Sequence, residues 1–174
     1  KTIRPQLDVL WRHSAHVAAY AYVITRKQTK LNADTALLAG LLHDIGKLYI
    51  WSRAGDHADL LADPGTVEVL VNDWHSAVGK SILESWGFAD EVANAAEDHE
   101  ELYDLDLQAE NMLSSIVAVA NCLANTADTE AANDMANSDE MQPFRRLRLD
   151  GDKLAAFLGE FGDEIEDMRK AISS

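Results

Sequence analysis

The chain has 174 residues, 47% of them hydrophobic, which is enough for one domain with a sizeable core. Its formal net charge of -15 and isoelectric point near 4.6 argue against a nucleic-acid partner, because phosphate contacts require clustered lysine and arginine. We see no apolar run of membrane-spanning length and no signal peptide, and the single cysteine, Cys122, excludes an internal disulfide and fits a reducing cytoplasm.

Helical periodicity predicts a first helix over residues 7–29, with its apolar residues on one stripe. His13 and His16 are three residues apart and therefore share one face of this helix. An i, i+3 histidine pair can clamp a metal on its own. Asn32 is the expected N-cap of the next helix.

An adjacent histidine and aspartate, His43 and Asp44, close the apolar run of that second helix. Leucines at helical spacing predict burial, and Gly46 is the expected helix stop. A buried aspartate without a partner would become protonated or destabilise the fold, and a divalent metal shared with His43 meets its demand most simply. The alternative is a helix end at which His43 interacts with the macrodipole while Asp44 caps a nearby group.

A short apolar helix is predicted over 46–52, followed by a loop rich in Gly, Asp and Pro. A long helix then runs over 66–86, with His75 beside its apolar stripe and Gly87 as its C-terminal stop. Taken alone, a histidine beside such a stripe is more often a satisfied core residue than a ligand.

Two more helices are expected, over about 89–101 with His99 and over about 108–127 with Asn121 and a buried, inert Cys122. The bundle core therefore covers about 7–127. A polar linker is predicted over about 128–142 and C-terminal helices over about 143–172, the last two being a pair over 151–159 and 162–172. Together these form a single domain over 1–174.

This order of one histidine, a His-Asp pair and two later histidines resembles the HD superfamily of metal-dependent phosphohydrolases, and more closely its HDOD branch. The matching segments cover roughly residues 10–125 in family order. They are Leu10-Trp11-Arg12-His13-Ser14, the run Leu38 to Lys47, His75-Ser-Ala-Val-Gly79, Leu83-Glu-Ser-Trp86-Gly87, Glu91-Val92 leading to His99, and Ile116 to Ala124. The resemblance implies an all-α, compact multi-helix HD/HDOD-type bundle of about six to eight helices, and the lack of period-two alternation agrees with it.

The resemblance also implies a set of metal ligands. In active members, the positions of His13, His43, Asp44 and Asn121 hold a first metal, and those of His75 and His99 correspond to ligands of a second. It leaves His16 to a supporting role or to the helix surface.

Imidazoles with a carboxylate suit Fe, Mn, Zn or Ni better than Mg or Ca, and no organic cofactor is expected. Asp44 and Lys47 would be catalytic only in an active enzyme, in which Lys47 is the nearest cation for a substrate phosphate.

Two positions depart from the family pattern. HD enzymes have an aspartate where this chain has Asn121, and a carboxamide offers the metal one neutral oxygen instead of a full negative charge. Many relatives have two consecutive histidines where this chain has His99 and Glu100. The Gly-Tyr-Pro motif of the cyclic-di-nucleotide branch is absent.

The resemblance therefore implies a bacterial regulatory domain for signal transduction, in which an impaired HD site is retained and protein contacts carry the function. One alternative is an active metal-dependent phosphohydrolase that acts on a nucleotide or other phosphoester and tolerates Asn121. Another has the histidines as satisfied core groups without a metal.

The distribution of charge limits the partners. No Lys or Arg lies between Lys80 and Arg145, whereas acidic residues crowd positions 90–110. This region is either a solvated face or a field that attracts cations, and it would repel nucleic acid or an anionic membrane. We expect protein partners of a signalling pathway, and a small phosphoester substrate only if the site is active. Because the chain opens with Lys1, and HDOD proteins usually carry further helices before the first histidine, we expect part of a longer parent to be missing.

Overall fold

Helices follow one another throughout this computed structural model, which describes residues 3–101, 112–126, 129–137 and 141–173. Eight helices have nine or more residues, two have five, and the described residues contain no strand. The predicted all-α bundle is confirmed. In chain order the helices are α1 Arg4–Gln28, α2 Ala33–Leu42, α3 Ile45–Gly55, α4 Ala58–Ala62, α5 Pro64–Ser85, α6 Asp90–Asp98, α7 Met112–Asn125, α8 Thr129–Asn137, α9 Gln142–Arg146 and α10 Asp152–Ser173.

Local sequence signals set several helix ends. Asn32 caps α2 as predicted, since its side-chain oxygen accepts hydrogen bonds from the backbone of Asp34 at 2.8 Å and Thr35 at 3.3 Å. Gly87 follows α5 with a φ of +77°, which a residue without a Cβ adopts at little cost. The Phe88 amide then bonds back to Leu83 at 3.1 Å, so α5 ends in a glycine-dependent turn, as predicted.

The core is built around α1 and α7. α1 contacts α2, α7 and α10, and its buried face is rich in alanine, which lets neighbouring backbones approach closely. Gly40 of α2 uses this space, because a Cβ there would lie 2.8 Å from the Cα of Ala18. α7 is buried continuously from Leu113 to Leu123. No helix in the described ranges combines the length and the low polarity that a membrane crossing requires.

Gly46 has a different role from the predicted helix stop. α2 already ends at Leu42, and Gly46 lies in the first turn of α3. There α3 crosses α5, with Gly46 of one helix close to His75 and Gly79 of the other. Beyond this crossing, Ala54, Val67 and Val71 form a small second hydrophobic cluster.

Two predictions near the C-terminus are wrong. The predicted polar linker contains α8, whose Ala132 and Ala136 are buried and which contacts α10. The predicted pair of final helices is one helix, α10, which continues through Gly159 and Gly162. The predicted loop before α5 also contains the short helix α4. Of the predicted helix over 108–127, residues 108–111 and 127 lie outside the described residues.

Candidate metal centre

The junction between α2 and α3 places His43 and Asp44 in the centre of the bundle. His43 follows the last residue of α2 and Asp44 precedes α3, and both side chains are buried. Asp44 occupies the N-cap position, but its carboxylate makes no capping hydrogen bond. The capping alternative for Asp44 is therefore not what the structure shows, and the carboxylate faces a group of histidines instead.

Four histidines from four segments surround this carboxylate. Asp44 Oδ2 lies 3.3 Å from Nε2 of His43 and 3.8 Å from Nε2 of His13. Asp44 Oδ1 lies 3.3 Å from Nε2 of His99 and 3.8 Å from Nε2 of His75. The structure thus brings together the five histidine and aspartate residues predicted as ligands, although they are spread over 87 positions from 13 to 99.

Backbone carbonyls fix the tautomers of three of these histidines. The Nδ1 atoms of His43, His75 and His99 lie 2.7–2.8 Å from the carbonyl oxygens of Gly40, Val71 and Ala96. A carbonyl can only accept, so Nδ1 carries the hydrogen in each ring. In the neutral rings the Nε2 lone pairs consequently point towards Asp44, which is the orientation in which imidazole binds a metal.

Two buried polar atoms of the centre lack a hydrogen bond. Within the described part of the chain, His43 Nε2 is buried without a hydrogen-bond partner, and so is Asp44 Oδ1 apart from its ion pair with Lys47. Buried polar atoms are rarely left in this state, because the desolvation cost of about 1–3 kcal/mol is then uncompensated. A divalent cation would satisfy both atoms, so the residues present fit a metal.

The possible ligands form two groups that share Asp44. His13, His43 and Asp44 form the first group, and Asp44, His75 and His99 form the second, with the ligand atoms of each group all within 4.8 Å of one another. Since the two groups use different oxygens of one carboxylate, Asp44 can serve either group or bridge both.

Asn121 reaches the centre from α7 and bonds to the first group. Its Oδ1 lies 3.0 Å from His13 Nε2 and accepts a hydrogen bond from Asn125 Nδ2 at 3.1 Å. Its own amide donates to the carbonyl oxygen of His99 at 3.4 Å. With Asn121 in this orientation its oxygen acts as an acceptor, so His13 Nε2 carries the hydrogen and is not free to bind a metal.

Lys47 provides the positive charge closest to Asp44. Its Nζ lies 3.0 Å from both carboxylate oxygens. Burial by itself raises the pKa of Asp44, but favourable interactions with its neighbours, among them the Lys47 ammonium, hold that pKa far below its usual value. Asp44 is therefore ionised across the physiological pH range.

Glu100 belongs to this centre, although sequence reasoning noted it only as a departure next to His99. Its Oε1 lies 3.3 Å from Nε2 of His75 and 3.8 Å from Lys47 Nζ. When the His75 ring also carries a proton on Nε2, its hydrogen bond to Glu100 lowers the pKa of that carboxyl to about 2. Its place beside His99 was the available signal, but its distance to His75 depends on how α5 and α6 pack.

The remaining histidines differ in surroundings. Burial lowers the pKa values of His13 and His99, which keeps both rings neutral. His16 lies away from the cluster, on the side of α1 where its ring is 4.8 Å from Tyr20 and Arg169 of α10 is nearby. His57 is exposed in the turn before α4, as the predicted loop position implies.

A cavity of about 520 Å³ opens onto one side of the centre. His13, Asp44 and Lys47 lie at its base, and apolar residues of α1 together with Trp51 form its walls. A larger groove of about 790 Å³ runs between α3 and α5, where Trp74 and Trp86 are more than half exposed.

An all-α bundle with clustered histidines around a His-Asp pair defines the protein class, and comparison with known families agrees. The chain belongs to the HDOD domain family, whose model matches residues 2–102. Asn121 lies beyond the matched segment.

Three known proteins are similar to this chain. Ribonuclease Y of Mesoplasma florum is 31% identical over 112 residues, which is 64% of this chain and 18% of that protein. A crystal structure from Shewanella amazonensis SB2B, provisionally named as a metal-dependent phosphohydrolase, superposes with a TM-score of 0.69 at 24% identity, covering 97% of this chain and 59% of that one. An HDOD domain protein of unknown function from Geobacter sulfurreducens superposes with a TM-score of 0.68 at 20% identity, covering 96% and 62%.

The two structural similarities concern the fold. The chain spans about three fifths of each of these structures and under a fifth of the ribonuclease.

Proposed function

We propose that this chain is a regulatory HDOD domain for signal transduction, which binds a divalent transition metal but does not hydrolyse phosphoesters. The observation that carries the proposal is the hydrogen bond of 3.0 Å between Asn121 and His13. It joins two positions that hold the first metal in active HD enzymes. Neither residue supplies a charge. The atoms that would bind a metal, His13 Nε2 and Asn121 Oδ1, are hydrogen-bonded to each other instead.

A bound divalent metal supplies acidity to a coordinated water and holds phosphate oxygens. The residues of this chain provide little else for that chemistry. Asn121 cannot accept a proton as a carboxylate does. Lys47, the nearest cation, lines the cavity, but its ammonium is engaged with both oxygens of Asp44.

The charge of the chain supports a partner other than an anionic polymer. Ribonuclease Y is named for cleavage of RNA, but here the stretch from 81 to 144 has no Lys or Arg and the net charge is -15. Counterion release from phosphates, the main source of nucleic-acid affinity, requires such cations. We therefore propose protein partners in a signalling pathway, with no nucleic acid and no membrane among the partners.

One observation favours a second candidate, an active metal-dependent phosphohydrolase. The 520 Å³ cavity leads from solvent to His13, Asp44 and Lys47 and has room for a small phosphoester. In that case Asp44 would hold the metal, and Lys47 would leave Asp44 to neutralise the substrate phosphate.

A hydrolysis assay separates the two candidates. The purified chain is incubated with Mn²⁺, Fe²⁺, Zn²⁺ or Ni²⁺ and with p-nitrophenyl phosphate, bis(p-nitrophenyl) phosphate and a set of nucleotides. We expect turnover no faster than in the Asp44→Ala variant, with circular dichroism showing that both chains are folded. Turnover in the wild type that Asp44→Ala abolishes would overturn the proposal and establish the second candidate.

A further inference from the structure

Four ligand atoms from α5, the start of α3 and the end of α6 lie close together on one side of the centre. They are Nε2 of His75, Nε2 of His99, Oδ1 of Asp44 and Oε1 of Glu100. Glu100 Oε1 is 3.3 Å from His75 Nε2 and 3.8 Å from His99 Nε2. The two Nε2 atoms are 3.3 Å apart, and Asp44 Oδ1 is 3.8 Å from the first and 3.3 Å from the second.

These separations match those around a transition metal. A four-coordinate ion with bonds of about 2.0–2.2 Å holds its ligand atoms about 3.3–3.6 Å apart. The five separations that involve His75 or His99 are 3.3–3.8 Å, so these two side chains would need little movement to share an ion with Asp44 or with Glu100.

The two histidines face each other in a way that favours a cation between or beside them, either a proton or a metal ion. His75 and His99 both use their Nδ1 hydrogens on backbone carbonyls, which leaves two unprotonated Nε2 atoms 3.3 Å apart in the neutral rings. Two lone pairs at this distance repel. The Ser76 hydroxyl lies 3.3 Å from His75 Nε2 and can donate a hydrogen bond to it. This bond serves only one of the two nitrogens.

Charge distinguishes the group that contains His75 and His99 from the group that contains His13 and His43. His13 and His43 have Asp44 and the neutral Asn121 beside them, whereas His75 and His99 have Asp44 and Glu100. A second carboxylate raises the affinity for a divalent cation. Lys47 balances this charge when no metal is bound, and its side chain is 24% exposed, so it can move towards solvent when an ion enters.

We propose that this chain binds its metal in the group of His75, His99, Asp44 and Glu100, and that Glu100 is a ligand. The loss of a carboxylate at Asn121 is thereby offset by a carboxylate on the opposite side of Asp44. The inference rests on the metal binding included in the proposed function, and it is independent of whether the site hydrolyses phosphoesters.

A cobalt titration tests the assignment. Co²⁺ is added to metal-free protein, and the visible absorption of the bound ion gives both its affinity and its coordination. We expect one Co²⁺ per chain in the wild type and at least about tenfold weaker binding in Glu100→Gln. Glu101→Gln is the matched control, because it removes the same charge one residue further along and should bind within about twofold of the wild type.

Two further variants make the outcome decisive. Glu100→His restores a ligand atom and should recover binding with an altered spectrum, which a loss of stability alone would not produce. His13→Ala should bind Co²⁺ within about threefold of the wild type, since His13 belongs to the other group. Equal affinities for Glu100→Gln and Glu101→Gln, or binding lost only in His13→Ala, would overturn the assignment while leaving the proposed function in place. Phosphoester turnover by the cobalt-loaded protein would overturn the proposed function alone.

Discussion

Gly46 lies against the backbone of His75, so close that a Cβ at position 46 would overlap the His75 carbonyl oxygen. This Cβ would also be 2.8 Å from the backbone nitrogen of Gly79. This contact holds the start of α3 on α5, and it therefore sets the distance from Asp44 and Lys47 to His75. A single glycine links helix packing to the geometry of the centre.

Gly46→Ala should consequently destabilise the protein and disturb its metal site. A methyl group meets backbone atoms here, which cannot move aside as a side chain could. We expect the free energy of unfolding to fall by at least about 2 kcal/mol in urea denaturation, together with weaker Co²⁺ binding.

Gly159→Ala is the control for that change. A Cβ at this exposed position in α10 has no atom within 4 Å, so the substitution should raise the free energy of unfolding by about 0.5–1 kcal/mol. If Gly46→Ala were as stable as Gly159→Ala, the close crossing of α3 and α5 would be incorrect.

Lys47 acts as a substitute cation in the metal-free state, because its ammonium lies 3.0 Å from both oxygens of the buried Asp44. Lys47→Met should lower the free energy of unfolding by about 1–3 kcal/mol in EDTA, since it leaves that carboxylate without its partner. Excess Zn²⁺ should reduce this loss, because the ion takes over the neutralisation.

The exposed pair of Lys153 and Asp150 offers the comparison for Lys47. These side chains are 2.9 Å apart and partly exposed to solvent, so Lys153→Met should lower the free energy of unfolding by under about 0.5 kcal/mol with or without Zn²⁺. If Lys47→Met lowered the free energy of unfolding equally in EDTA and in Zn²⁺, the metal would not be taking over the role of the lysine charge.

His16 should make the protein sensitive to mild acid. Burial, with the nearby Arg169 second, lowers the pKa of His16 below 6.5. As the pH falls from about 6.5 towards the lowered pKa, the unfolded chain binds a proton that the folded chain does not, so stability falls in that window. His16→Gln should remove this part of the loss.

Urea unfolding at pH 7.5 and pH 5.5, in EDTA, measures the effect. One proton limits the difference to about 1.4 kcal/mol per pH unit, and the half-buried ring reduces it further through solvent screening. His57→Gln is the control, since it removes a histidine that is exposed in the structure. An identical acid loss in the wild type and in His16→Gln would refute this role for His16.

Cys122 tests whether α8 covers the bundle. Its Sγ lies 3.7 Å from the sulfur of Met135 in α8, and burial raises the pKa of its thiol. We expect the native thiol to react with a disulfide reagent at least about tenfold more slowly than in the urea-unfolded chain. Equal rates would show that the segment over 129–137 leaves Cys122 open, as the predicted linker would have done.

The fold class and the buried His-Asp pair could be predicted from the sequence because they depend on local patterns. Apolar periodicity marks α1, α5 and α7, and the Asn32 and Gly87 signals are local. α8 escaped prediction because its sequence is polar and its burial relies on two small residues, Ala132 and Ala136.

The prediction of two final helices is wrong for a related reason. Gly159 and Gly162 weaken a helix in isolation, but Phe157, Phe161 and Leu158 attach α10 to the core and keep it continuous.

The candidate site likewise combines residues that the sequence predicts with contacts that it does not. The resemblance to HD proteins selected His13, His43, Asp44, His75, His99 and Asn121, and the structure brings them together, while their roles as ligands remain predictions. The hydrogen bond from His13 to Asn121 and the approach of Glu100 to His75 involve residues 108 and 25 positions apart. Such distances are fixed by tertiary packing, which no local pattern encodes.

The central claim is that the buried cluster is a metal site. Its most direct test is elemental analysis of the chain purified without added metal, beside Asp44→Ala, which removes the carboxylate shared by both ligand groups. About one transition-metal ion per wild-type chain, lost in the variant, is the predicted result. Wild-type protein without metal, or metal retained in Asp44→Ala, would contradict the claim.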